Sequence, residues 1–197
     1  NWEVALFQDL GSAPASMESG KAVDAYGLFE GNCIRQADAE QAYVQAELKG
    51  DTTWVSLPPE AWPDEWKNKG SRRPVVRLLK ALYGHPDSGT FWEKHCDAAL
   101  RRGGFEPIVG WPSCYWHQRS RLFLAVYVDD FKMSGPEENT TEGWSMVRKE
   151  LVVEEPSAVH LYLGCIHEEM QITLPSGHMA RALVYNMESY LESTVER

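Results

Sequence analysis

Nowhere in the 197 residues is there an uninterrupted apolar run of about 18 residues, which excludes a transmembrane helix on length alone. The opening stretch NWEVALFQDL carries acids where a secretory signal would carry bases, so the chain is expected to be intracellular and not secreted. Cysteine is scarce. Cys33, Cys96, Cys114 and Cys165 lie far apart and form no C-x-x-C pair, which argues against a disulfide framework or a zinc ribbon and for reduced core thiols. Cys114 and His117 have C-x-x-H spacing, but no second ligand pair accompanies them, and SCYWHQ alternates like a strand. Basic residues are also in short supply, 19 against 29 acids, and the net charge of −10 argues against nucleic-acid binding through the general surface field. Internal repeats and low-complexity segments are absent.

The composition itself, 43% apolar and 24% charged with abundant aromatics, is that of a folding globular chain long enough for one sizeable core. Because it opens on Asn1 rather than Met, it reads as a piece of a longer polyprotein. The scarce bases are not spread evenly. Lys67, Lys69, Arg72, Arg73, Arg77 and Lys80 follow one another with no acid among them, a strip that fits a phosphate contact and a solvated loop equally well.

Pattern and punctuation place the elements. SAPASMESGKAVDAYGLFEGN predicts one helix, capped at Ser12 with Pro14 in its first turn and ending near Gly31. Cys33 to Asp38 reads as a short strand, 40–48 as a second helix, and WVSLPPEAWPDEW as irregular. PVVRLL is strand-like, and FWEKHCDAALRRGGF is a helix stopped by Gly103 and Gly104. SCYWHQ and LFLAVYV form two strands leading through Asp129 and Asp130 into FKMSG, a hairpin with acids at its tip. Residues 142–152 look helical, HLYLGCIH and MQITL form a closing strand pair, and MARALVYNMESYLESTVER is an amphipathic final helix. The irregular interleaving and hairpin-length connections imply an α+β domain, an antiparallel sheet backed by helices.

Two features carry chemistry. Tyr127-Val128-Asp129-Asp130 sets two adjacent carboxylates at the end of a buried strand, where each raises the other's pKa and a divalent cation would relieve the conflict. Oxygen ligands on a rigid sheet suit Mg²⁺, although a polar hairpin turn also accounts for the pair. Asp38 ends the strand CIRQA and is followed by Ala42 and Tyr43 in the order D-x-x-x-A-Y; standing alone it fits a helix cap as readily as a metal ligand.

Taken together, QADAEQAYVQAEL, WVSLPP, VVRLLKALYG, FWEKH, GF, LAVYVDD and LYLG stand in the order and spacing of copia-type reverse transcriptases, and the chain resembles that family from about Ile34 to Leu191. The resemblance implies a polymerase palm with partial fingers and the start of a thumb: 1–32 partial fingers, 33–46 palm, 47–92 a fingers-like excursion, 93–175 palm with two hairpins, 176–197 thumb entry. It implies an RNA-directed DNA polymerase with Asp38, Asp129 and Asp130 holding two Mg²⁺, for which Mn²⁺ could substitute. Tyr43 falls at the position beneath the incoming sugar, with Tyr127 and Gly84 near the nucleotide. Leu163 and Gly164 fall at the primer-gripping hairpin, and the strip from Lys67 to Lys80 would meet nucleic acid. Implied partners are an RNA or DNA template-primer, deoxynucleoside triphosphates, and RNase H and integrase regions of the same polyprotein, in a cytoplasmic virus-like particle or the nucleus, with no membrane.

Three departures stand against these implications. Glu40 replaces the family's usual Lys, HPDSG replaces LKQAP after Gly84, and the basic fingers segment is missing upstream. A catalytically silent relic that binds or scaffolds, and an unrelated metal-dependent phosphotransferase, are therefore the competing expectations.

Overall fold

A computed structural model of the protein describes residues 12–68 and 73–195. In chain order the elements are α1 (Met17–Gly27), β1 (Asn32–Asp38), α2 (Ala42–Gln45), β2 (Trp54–Ser56), α3 (Asp64–Asn68), β3 (Val75–Arg77), α4 (Ser88–Arg102), β4 (Glu106–Pro107), β5 (Cys114–His117), β6 (Leu122–Tyr127), β7 (Asp130–Pro136), α5 (Glu137–Glu150), β8 (Ser157–Ala158), β9 (Leu161–Tyr162), β10 (Cys165–Thr173), β11 (Met179–Asn186) and α6 (Glu188–Val195). The architecture is mixed helix and antiparallel sheet, as the interleaved pattern implies.

The main sheet has the order β4-β5-β6-β7-β1-β8, which puts β7 and β1 inside it although they are far apart in sequence. Alternation along β6 and β7 sorts the two faces. Leu122, Leu124, Val126, Phe131 and Met133 point to one face, where Trp92, Cys96 and Leu100 of α4 and Trp144 and Val147 of α5 close the larger core. Cys114 and Ala125 point to the other, against Val23 of α1. Close approach demands glycine at the end of α1: a Cβ on Gly27 would lie 2.1 Å from Ile34 Cγ1. Cys114 and His117 serve opposite faces, the imidazole lying against Phe105 with a ring separation of 5.1 Å, so they hold the core rather than a metal.

Several local expectations are corrected. The first helix begins at Met17, not Ser12, because Ser16 Oγ accepts from Ser19 N–H at 3.2 Å and caps it there. The second helix is a single turn, since Gln41 takes a left-handed φ of +50° and Ala46 is extended. The Pro- and Trp-rich stretch holds β2, a 3₁₀ turn at 59–61 and α3 rather than only irregular chain. α5 starts five residues earlier than its apolar pattern suggested, at Glu137.

The largest correction concerns 179–186, which pairs as β11 with β10 along its whole length, Ile166 opposite Asn186 through Thr173 opposite Met179. Its Met, Ala, Arg and Leu favour helix, but the turn at Pro175-Ser176-Gly177 and eight residues of cross-strand pairing outweigh that propensity. HLYLGCIH and MQITL are accordingly not partners of each other: β9 pairs the start of β10, and MQITL continues it. Only Glu188–Val195 remains as the final helix. Among the described residues no helix is long and apolar enough to cross a membrane.

Candidate active site

β1 and β7 run antiparallel in a register that sets Asp38 directly opposite Asp130. Directly opposed residues present their side chains on one face with Cβ atoms about 4.5–5.5 Å apart, so residues 92 positions apart in sequence become neighbours. On the other side of β7, Asp130 faces Tyr127 across the β6–β7 hairpin, whose two turn residues are Val128 and Asp129. The turn is tied on both flanks: Ala39 N–H donates to Asp129 O at 2.7 Å, and the Trp92 indole Nε1–H to Val128 O at 2.6 Å.

This crowding leaves an electrostatic mark. Burial, then Asp38 and then Asp129 push the Asp130 carboxyl from 3.8 up to about 6. The same field reaches Tyr162, whose hydroxyl is raised first by burial and next by Asp130, with Asp24 and Asp38 adding to it. Tyr162 is buried at the end of β9, immediately before the turn of Leu163 and Gly164, which links that turn to the carboxylates. Leu163 and Gly164 have φ of +50° and +76°, a tight two-residue hairpin that a β-branched side chain would resist.

Tyr43 sits half-buried on α2, packed on the larger core, and its ring meets that of Tyr83 with centroids 4.4 Å apart. The backbone brings them together: Leu48 N–H donates to Leu79 O and Ala81 N–H to Ala46 O, both at 3.0 Å, laying 79–81 beside 46–48. Tyr83 is 57% exposed, and its hydroxyl is raised by burial, by Asp129 and by Tyr43, so it stands within the field of the site. Sequence reasoning passed over Tyr83 and Tyr162, although each lies inside a block it singled out, VVRLLKALYG and LYLG. Gly84 follows with φ +90° and open space around it. The unusual HPDSG is spent on the turn itself: His85 Nδ1 accepts from Asp87 N–H at 3.2 Å, and Ser88 Oγ bonds both Leu82 N and Leu82 O.

Lys80, the last residue of the basic strip, lies beside α2. Lys67 pairs with Asp64 at 3.4 Å, Lys80 Nζ donates to Gln45 O at 3.0 Å, and Arg73 and Arg77 are exposed. Lys69 and Arg72 lie outside the described residues. Among the described residues no lysine or arginine pairs with the three carboxylates, which suits a hard cation, yet no group of three or more described His, Cys, Asp and Glu side chains is already gathered into a metal-holding arrangement.

Two aspartates opposed across an antiparallel strand pair, with a third in the adjoining two-residue turn, define an acidic cluster on one sheet, and comparison with known proteins gives the family. Residues 5–186 match the family described as reverse transcriptase (RNA-dependent DNA polymerase). The Transposon Ty1-MR1 Gag-Pol polyprotein of Saccharomyces cerevisiae is 31% identical over 98 residues, 49% of this chain and 5% of that protein. The Transposon Ty1-GR3 Gag-Pol polyprotein of the same yeast is 28% identical over 110 residues, 55% of this chain and 6% of that protein. No solved structure matches the chain. The chain belongs to the reverse transcriptase (RNA-dependent DNA polymerase) family, in its copia-type retrotransposon branch, and spans about a twentieth of the length of these relatives.

Proposed function

We propose that this chain is the catalytic core of an RNA-directed DNA polymerase, in which Asp38, Asp129 and Asp130 hold two divalent cations, Mg²⁺ or Mn²⁺, for nucleotidyl transfer. The observation that carries this reading is the register of β1 on β7, which opposes Asp38 to Asp130 next to Asp129, within a chain of this family. When bound, such a metal pair lowers the pKa of an attacking hydroxyl and neutralises charge on the triphosphate. The primer 3′-oxygen would attack the α-phosphorus in line, its proton passing to solvent, as the bond from that phosphorus to the bridging oxygen breaks and pyrophosphate leaves.

The chain's own residues supply the rest. Asp38, Asp129 and Asp130 would hold the cations, with Asp130, whose carboxyl is raised by burial, Asp38 and Asp129, the weakest of the three ligands. Tyr43, backed by Tyr83, would lie under the sugar of the incoming deoxynucleotide, with Tyr127 and Gly84 beside it. Leu163 and Gly164 would hold the primer end, and Lys67, Lys69, Arg72, Arg73, Arg77 and Lys80 the template-primer phosphates. In these terms the main sheet is the palm, 47–92 the fingers-like excursion, and the segment from 176 the way into the thumb. The relatives are Gag-Pol polyproteins, which is the context in which RNase H and integrase regions would accompany this one.

A silent, polymerase-like relic is the second reading, favoured by the exposed Glu40 beside the site and the net charge of −10. Incubation with primer, homopolymer RNA template, deoxynucleotide and Mg²⁺ separates the two. Extension that is abolished by Asp129→Asn while template-primer binding persists supports the enzyme; binding without extension supports the relic.

A further inference from the structure

The turn that carries Asp129 is held in a conformation its sequence disfavours. Val128 has φ +57°, and among the described residues it is the only β-branched one with positive φ. A branched side chain in the left-handed region is strained by roughly 1–3 kcal/mol and persists only where its surroundings impose it. The Val128 carbonyl takes the Trp92 indole N–H at 2.6 Å, and the Asp129 carbonyl takes the Ala39 N–H at 2.7 Å. One strap is therefore backbone adjoining Asp38, and the other is a side chain.

Trp92 is suited to that task. It is 2% exposed, lies in the first turns of α4, and belongs to the core cluster that includes Trp144 and Phe131. Beside it is a void of about 30 Å³ whose walls include Tyr43, Trp92, Val126 and Val128, so the turn has somewhere to go if the strap is cut. Without the indole N–H, a half-buried carbonyl loses its partner and a strained peptide loses its restraint; rotation of the Val128–Asp129 peptide relieves both at once.

We infer that Trp92 is a positioning residue for the active-site turn: its indole N–H holds the Val128 peptide in the left-handed conformation from which Asp129 and Asp130 take their places. This rests on the reading of those aspartates as the catalytic site. A purely packing role for Trp92 predicts something different, because Phe keeps most of the ring while removing the N–H, and Gly at 128 adopts φ +57° without strain.

The test uses the 197-residue chain with Trp92→Phe, alone and combined with Val128→Gly, and reads backbone amide exchange and primer extension separately. Trp92→Phe should speed exchange at 127–131 by about tenfold or more while β5 (114–117) keeps its protection. It should lower kcat by about 10–100-fold with KM for template-primer within about twofold, the signature of a misplaced group rather than lost binding. Adding Val128→Gly should return at least about threefold of the lost kcat, a coupling that only neighbours sharing one strain show. Unchanged exchange at 127–131 overturns the inference, as does protection lost evenly throughout the chain, which assigns Trp92 to packing alone. A kcat loss that Val128→Gly leaves untouched also overturns it. If the parent chain extends no primer, the polymerase reading fails, and the exchange measurement still decides whether Trp92 restrains the turn.

Discussion

At the level of single residues, the site is a set of carboxylates crowded together with aromatics around them. Asp130, raised from 3.8 to about 6 by burial, Asp38 and Asp129, prefers its neutral form in the folded chain. Its contribution to stability is thus fully present below pH 4 and is lost as pH rises through 6. Asp130→Asn should accordingly stabilise the metal-free protein at pH 7.5 by more than at pH 4, read as the difference in Tm between variant and parent at each pH; an equal or reversed difference would refute the crowding. Tyr43 makes a second prediction. Its ring leans on Tyr83 rather than lying wholly within the core, so Tyr43→Ala or Val should raise ribonucleotide incorporation relative to deoxynucleotide. Steady-state incorporation of both nucleotides checks it, and an equal fall in both returns Tyr43 to the core.

At the scale of elements, the β10–β11 hairpin reaches the rest of the fold through a few polar anchors. Arg181 donates to the carbonyls of Gly27, Phe29 and Asn32, while Asp24 Oδ2 receives Lys132 Nζ at 2.9 Å and the Tyr185 hydroxyl at 3.0 Å, with His167 Nε2 at 3.5 Å. Burial pushes the Asp24 carboxyl up, but His167, Lys132 and Tyr185 together outweigh it and leave it below its usual range; burial pulls the Lys132 ammonium down, with Asp24 opposing. Asp24→Ala should cost about 3–5 kcal/mol in urea unfolding by stranding a buried ammonium, and the double change Asp24→Leu with Lys132→Met should recover most of it. A double variant no better than the single would show that the pair supplies net stability.

Legibility from sequence also divides at this scale. The β5–β6–β7 strands and α4 are read correctly because alternation, helical periodicity and a Gly-Gly stop all agree. β11 was not, because MARALVYN has helical composition, and its strand state comes from the Pro-Ser-Gly turn and from pairing with a distant partner. The opposed aspartates could be proposed from motif order, but the register of β1 on β7 is a tertiary fact no local pattern encodes. Trp92, Tyr83 and Tyr162 escaped for the same reason: each acts through contacts with residues dozens of positions away.

At the scale of the whole molecule, a chain of net charge −10 must concentrate its few bases to meet a polyanion. Arg73 stands just before β3 and Arg77 within it, both exposed, while Lys67 is held by Asp64 and Lys80 by the Gln45 carbonyl. Charge reversal of both should weaken template-primer binding and reduce the slope of log K against log salt by roughly 1–2. A salt titration by fluorescence anisotropy checks this, and an unchanged slope would return the strip to ordinary solvated loop.

The most direct test of the central claim, that Asp38, Asp129 and Asp130 form one metal site, is Mn²⁺ binding followed by electron paramagnetic resonance with template-primer and a non-hydrolysable deoxynucleotide analogue present. The account predicts two bound Mn²⁺ per chain in the parent protein, and loss of at least one in Asp38→Asn and in Asp129→Asn while nucleic-acid binding is retained. Equal Mn²⁺ occupancy in the parent and both variants would contradict it.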